Sequence, residues 1–159
     1  MRRRVLLDSN LLIGAFEPMP DNSAHEAAKA LFRQLMGDDD VDVFITPLIR
    51  YEVLRGVRRI SQADMEEKLN AIQEIPVREK EANRAAELFH LAREKGLFQS
   101  GKDEKDACPV CGYFPLNKHS FDLFHCACAD AHGMRVASQD DHIQKIQKLI
   151  QDSKQNAQT

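Results

Sequence analysis

Four acids, Asp8, Glu52, Asp122 and Asp140, stand at comparable places along this chain. Asp8 ends the apolar run Val5-Leu6-Leu7, and Asp140 follows the short stretch Arg135 to Ser138. Glu52 lies within the helical stretch after Val41 to Ile45, and Asp122 is near the start of another, Ser120 to Ala131. A parallel sheet gathers the carboxyl ends of its strands on one edge, where open α/β sheets bind ligands. These acids can therefore converge. Clustered carboxylate oxygens suit a hard divalent cation, magnesium or manganese. A cation held there activates water and polarises a phosphoryl oxygen, which is the chemistry of phosphodiester hydrolysis. The plain alternative is that the acids are caps and surface groups; Asp8 directly precedes a helical stretch and would serve as its N-cap.

A second group of metal-ligating types follows a different logic. All four cysteines fall between Cys108 and Cys128, a local clustering unlike a disulfide framework. Cys108-Pro109-Val110-Cys111-Gly112 has the spacing of a zinc knuckle, and His119 comes soon after. The fourth ligand stays open between His125, Cys126 and Cys128. Cys126 and Cys128 are two apart and point to different faces of a helix, so both do not easily bind one ion. The alternatives are two free thiols with two buried cysteines, or a redox pair, for which the thioredoxin-like context is missing.

Basic residues supply a third feature. Arg50, Arg55, Arg58 and Arg59, with Lys102, Lys105 and Lys118, are candidates to line an RNA path. The net charge of -3 is not that of a protein holding nucleic acid by bulk electrostatics. A cation at the carboxylates would cancel charge where phosphate binds. Aromatic residues are few, and no stacking motif signals base-specific readout.

The elements that must position these groups alternate between strand and helix. Val5 to Leu7 reads as a buried strand, Asn10 to Phe16 as a short helix, and Ser23 to Gly37 as a helix opened by a Ser23/Glu26 capping box. Asp38 to Asp40 reads as a solvated loop. Val41 to Ile45 is a second strand, and Thr46-Pro47 starts a helix whose apolar stripe is Ile49, Val53, Val57 and Ile60. Ser61 to Gln73 is a further helix, Ile75 to Val77 a third strand, and Glu79 to Lys95 a helix stopped by Gly96. Gln99 to Lys118 breaks the pattern as a long loop. After the Ser120 to Ala131 helix and the Arg135 to Ser138 strand, Asp140 to Ile150 forms the last helix. Alternation of this kind predicts an α/β protein, a three-layer α/β/α sandwich around a central parallel sheet.

The chain has 159 residues, 43% apolar and 30% charged, which suits one soluble domain. We expect that domain over residues 1–150, with a cysteine-containing loop insertion at about 99–119 and a fraying polar tail over 151–159. No run is long enough to span a bilayer, and Asp8 interrupts the only stretch resembling a signal peptide, so no membrane association and a cytoplasmic location are expected.

The motifs resemble a known family. Leu6-Leu7-Asp8-Ser9-Asn10-Leu11-Leu12-Ile13 is similar to the opening motif of PIN domains, and Thr46 to Gly56 to their second. Phe121 to Ala129 and Gly133 to Asp140 resemble the third and fourth, in the right order over essentially the whole chain. In size the match is to the VapC-like toxin ribonucleases of bacterial toxin–antitoxin pairs. The resemblance implies a metal-dependent endoribonuclease in which Asp8, Glu52, Asp122 and Asp140 bind magnesium or manganese. It implies that Ser9 and Asn10 orient Asp8, and that Ser138 stands for the usual threonine. It implies an RNA substrate, a cognate antitoxin and a homodimer. By register with the motif, Asp141 is assigned to helix capping. The cysteine-bearing approach to Asp122 departs from the family pattern, and a structural zinc there would order the loop before Asp122.

Two other functions compete. A phosphatase using Asp8 as nucleophile wants a second acid two residues on, where this chain has Asn10. A non-enzymatic binding module would dock a partner through a zinc-ordered loop; the presence of all four acids argues against it.

Overall fold

The computed structural model describes residues 2–18, 23–97 and 120–156. Four strands, β1 (Arg3–Leu7), β2 (Val41–Ile45), β3 (Gln73–Glu74) and β4 (Arg135–Ala137), make one sheet in the order β3-β2-β1-β4. Every pairing is parallel, so all the carboxyl ends share an edge as expected. Leu6 of central β1 is matched to Phe44 on one side and Val136 on the other. Val5, Leu6 and Leu7 are all buried, which explains a run that is apolar throughout rather than alternating.

Helices α1 (Ser9–Phe16) and α2 (Ser23–Met36) connect β1 to β2; α3 (Pro47–Gly56) and α4 (Gln62–Asn70) connect β2 to β3. Then α5 (Glu79–Glu94) and α6 (Ser120–Ala131) carry the chain back across to β4, and α7 (Asp141–Asn156) closes it. Packing separates the helices into two groups. α1 lies against α2 and α3, and α3 against α4; α5, α6 and α7 lie against one another. Right-handed crossovers require this division. Two successive steps outward from β1 put α1 to α4 on one face, and the return step puts α5 and α6 on the other. The predicted three-layer sandwich is therefore the observed one.

Local chemistry sets the boundaries that matter for the site. Thr46 caps α3, its Oγ1 accepting from the Ile49 N–H at 3.2 Å. Ser61 caps α4 in the same way through Asp64. Gly133 ends α6 in a left-handed conformation, φ 66°, which a residue without Cβ adopts at no steric cost. Met134 N then bonds back to Ala129 O at 2.8 Å, and the chain enters β4. Asp130 near that end is held by Arg84 of α5 and by Lys154 of α7. Close by, Arg4 lies over the Phe44 ring and donates to His132 O. Asp38 is engaged by Arg3, and its carboxylate accepts from Asp40 N, giving the expected acidic loop a local fold.

Several boundaries differ from expectation. The third strand sits at Gln73–Glu74 rather than Ile75 to Val77. Ile75 N still donates to Ile45 O, but Pro76 has no N–H to extend the ladder, so pairing stops there. Ser23 lies inside α2 and is not its cap. The last helix runs on to Asn156 instead of fraying after Ile150, with Ile143, Ile146 and Ile150 buried beneath it. The candidate insertion and Lys102, Lys105, Cys108, Cys111, Lys118 and His119 lie outside the described residues. Among the described residues, no helix is long and apolar enough to cross a membrane.

Candidate active site

Asp8 directly follows β1 and is 1% exposed. Its N–H donates to Ala137 O of β4 at 3.1 Å, which seats it between the two strand ends. This is where the crossovers diverge to opposite faces, the crevice in which open parallel sheets bind ligands. Asp8 also occupies the N-cap position of α1, but its side chain makes no capping bond. The carboxylate is committed elsewhere. Oδ2 accepts from Ser138 Oγ at 2.8 Å, while Oδ1 is buried with no hydrogen-bond partner among the described residues.

Burial is the main cause that pushes the Asp8 carboxyl above its ordinary range. The Ser138 bond and the positive side of His125 act against it, the Asp122 charge adds to it, and the Ser9 N–H again lowers it. Asp8, Asp122 and His125 thus share one electrostatic neighbourhood. Ser9 is buried in the first turn of α1, and Asn10 beside it is exposed.

Ser138 joins two of the predicted acids. Its Oγ donates to Asp8 and accepts from Asp140 N at 3.0 Å. Asp140 itself turns toward α7: its Oδ1 accepts from His142 N at 2.7 Å and faces the His142 ring nitrogen at 3.0 Å. Capping therefore falls to Asp140, not to Asp141. α7 begins at Asp141, so Asp140 is the flanking residue whose carboxylate reaches the orphan N–H two positions on.

Glu52 meets a partner the sequence reading did not assign to it. Its Oε2 lies 2.5 Å from His125 Nε2. The ring is wholly buried and the Glu52 side chain is 12% exposed. Glu52 belongs to α3 on one face of the sheet and His125 to α6 on the other, so the pair meets past the strand ends. A signal existed in the sequence: Asp122 and His125 are three apart on a helix and share its face. The sequence pattern instead offers His125 as a fourth zinc ligand. Cys126 and Cys128, the other candidates for that role, are buried core thiols. Burial pushes both upward, Cys128 to about 12, with Glu81 adding to the rise.

An oxygen-rich, buried site with an unspent carboxylate oxygen has the donor chemistry of a magnesium or manganese site. Asp8 Oδ1 is that oxygen, so the residues present fit such a cation. Among the described residues, no three His, Cys, Asp or Glu side chains already stand at ligand spacing. Glu52 is drawn to His125 and Asp140 to α7, which accounts for the acids being gathered at one edge without closing on one point.

The basic residues divide. Arg50 is structural: Nε bonds Glu74 at 2.6 Å and Nη1 bonds Asn70 at 3.1 Å, tying α3 to β3. Arg59 pairs with Glu17. Arg55 lies over the exposed ring of Tyr51, and Arg58 is exposed.

Strand order, layer arrangement and the acid-bearing edge define an open parallel α/β/α protein with its candidate site at the switch point. A model of the PIN domain matches residues 5–149, nearly the whole chain, and the protein belongs to that family. Among solved structures it is similar to the crystal structure of FitAcB from Neisseria gonorrhoeae, at 19% identity and a TM-score of 0.59, over 90% of this chain and 93% of that one. At that identity the likeness speaks for the fold. Comparison with curated protein sequences gives no match.

Proposed function

We propose that this protein is a metal-dependent endoribonuclease, acting as the toxin of a type II toxin–antitoxin pair. Membership of a family whose members are generally nucleases supports the reaction class. The observation that carries the reading is Asp8, buried at the switch point with Oδ1 unspent. Asp8, Glu52 and Asp122 would hold magnesium or manganese, with Asp140, turned toward α7, beside them. When bound, the cation would stabilise charge on the phosphate oxygens and make a water a better nucleophile. Ser138 fixes Oδ2 of Asp8, so Oδ1 is the oxygen presented. Asp122 is the carboxylate we assign to take a proton from the attacking water. Arg55 and Arg58, with Arg59, are assigned to the RNA backbone; Arg55→Ala should weaken RNA binding and flatten its salt dependence. The antitoxin and the homodimer are carried over from the VapC-like motifs. A structural zinc on Cys108, Cys111 and His119 is a separate proposal, tested by metal content of the purified chain.

The test is cleavage of a cellular RNA pool by wild type and Asp8→Asn, each with manganese and with a chelator. Fragments are expected from wild type with manganese alone. Equal cleavage by Asp8→Asn would overturn the site. A second reading, a binding module without catalysis, is favoured by Glu52 being committed to His125; it predicts no cleavage from any sample.

A further inference from the structure

We propose that His125 is a positioning residue that holds the Glu52 carboxylate in place for cation binding. The inference rests on the nuclease reading above and names a residue whose role that reading leaves open.

An ionised carboxylate only accepts hydrogen bonds, so Nε2 of His125 carries the hydrogen and donates to Glu52 Oε2. Nδ1 is the other ring nitrogen. It is buried and has no hydrogen-bond partner among the described residues. A buried polar atom left unpaired is costly, and native structures retain few of them. On α6 the neighbours Leu123, Cys126 and Ala127 are buried and apolar, so an apolar side chain at position 125 would avoid that cost. What the histidine adds is the contact with Glu52.

That contact has a specific geometry. Glu52 has three rotatable side-chain bonds and hangs from α3, whereas the imidazole is rigid and packed within α6 on the opposite face of the sheet. A donor arriving from the other layer pins the carboxylate over the strand ends. Among the described residues the bond commits Oε2 and leaves Oε1 for another acceptor role. Carboxylates that bind metals are themselves held by outer hydrogen bonds, and loss of such a partner typically costs about 10–100-fold in metal affinity.

The experiment is manganese titration of the full chain, following free ion by electron paramagnetic resonance, with melting curves to establish that each variant is folded. Wild type and Asp8→Asn are compared with His125→Leu, His125→Gln and His125→Asn. The Gln amide nitrogen takes the place of Nε2 and can donate to Glu52; the Asn amide reaches only the place of Nδ1. Affinity should fall about 10–100-fold in His125→Leu and His125→Asn, and stay within a few-fold of wild type in His125→Gln. In a Glu52→Ala background the same changes at position 125 should have no further effect. A purely packing role would lower melting temperature in the polar variants together and would not separate Gln from Asn in manganese affinity.

The inference fails, with the nuclease reading intact, if wild type binds manganese through Asp8 and the Leu and Asn variants bind equally tightly. It also fails if their loss persists at full size in the Glu52→Ala background, because His125 would then act through another group. If wild type shows no manganese binding that Asp8→Asn removes, the nuclease reading falls and takes this inference with it.

Discussion

Replacing Ser138 with alanine removes two hydrogen bonds at once, and their energies respond differently to pH. Ser138 Oγ donates to the buried Asp8 carboxylate at 2.8 Å and accepts from Asp140 N at 3.0 Å. A bond to a charged acceptor contributes about 1.5–3 kcal/mol and a neutral one about 0.5–1.5. Together they give a loss of about 3 kcal/mol at neutral pH, or roughly 6–12 °C in melting temperature for a chain of this size. The Asp8 part depends on its charge. Burial already holds the Asp8 carboxyl above its ordinary value, so ionised Asp8 destabilises the fold as pH rises from that value through the folded one. Ser138 opposes this, and without it the folded value rises further. The deficit of Ser138→Ala should therefore be small below the ordinary carboxylate range, near the ~1 kcal/mol of the Asp140 bond. It should grow with pH until Asp8 is ionised in the variant too. Urea unfolding at pH 3.5 and pH 7, with chelator present, measures both ends. An equal deficit at the two pH values, or a larger one in acid, would refute the assignment of Ser138 to the Asp8 carboxylate.

Other outcomes follow from the packing. Glu81 is buried in the first turn of α5, where Oε2 accepts from Arg78 N at 2.8 Å and Oε1 lies 2.8 Å from the His132 ring, too poorly aligned for a hydrogen bond. Burial pushes its carboxyl up, but the Arg78 N–H, its own N–H, His132 and Lys80 outweigh that and hold it below the ordinary range. Its stabilisation is present above the unfolded value and lost as pH falls toward the folded one. Glu81→Gln should therefore lower stability at pH 7 by about 1–3 kcal/mol, with a gap to wild type that narrows in acid urea titrations. A Cβ on Gly14 would stand 2.8 Å from Ala28 Cβ, which cannot swing away, whereas one on Gly56 would meet the Ile13 Cδ1 tip at 2.5 Å. Gly14→Ala should therefore cost about 1–3 kcal/mol by forcing α1 and α2 apart, and urea midpoints should show Gly56→Ala to be milder because Ile13 can rotate.

The succession of elements and the place of Asp8 were readable in the chain because both depend on local rules. An unbroken apolar run makes a doubly covered strand, Thr46-Pro47 starts a helix, and Gly96 stops one. Parallel pairing then followed from strands separated by helices, which brings the strand ends that precede Asp8 and Asp140 to one edge. Where local rules gave the wrong boundary, a neighbour decided: Pro76 limits β3 only because β2 is there to be paired. The contacts that shape the candidate site have no such local signature. Ser138 and Asp8 are 130 residues apart, and His125 and Glu52 are 73 apart. A carboxylate's partner is whichever donor the folded layers bring within about 3 Å, where the surroundings are dry enough for the bond to matter. The residue types told which groups could serve as ligands; only the meeting of side chains from α3 and α6 past the strand ends determined that Glu52 is held by a histidine, and only the start of α7 turned Asp140 into a cap.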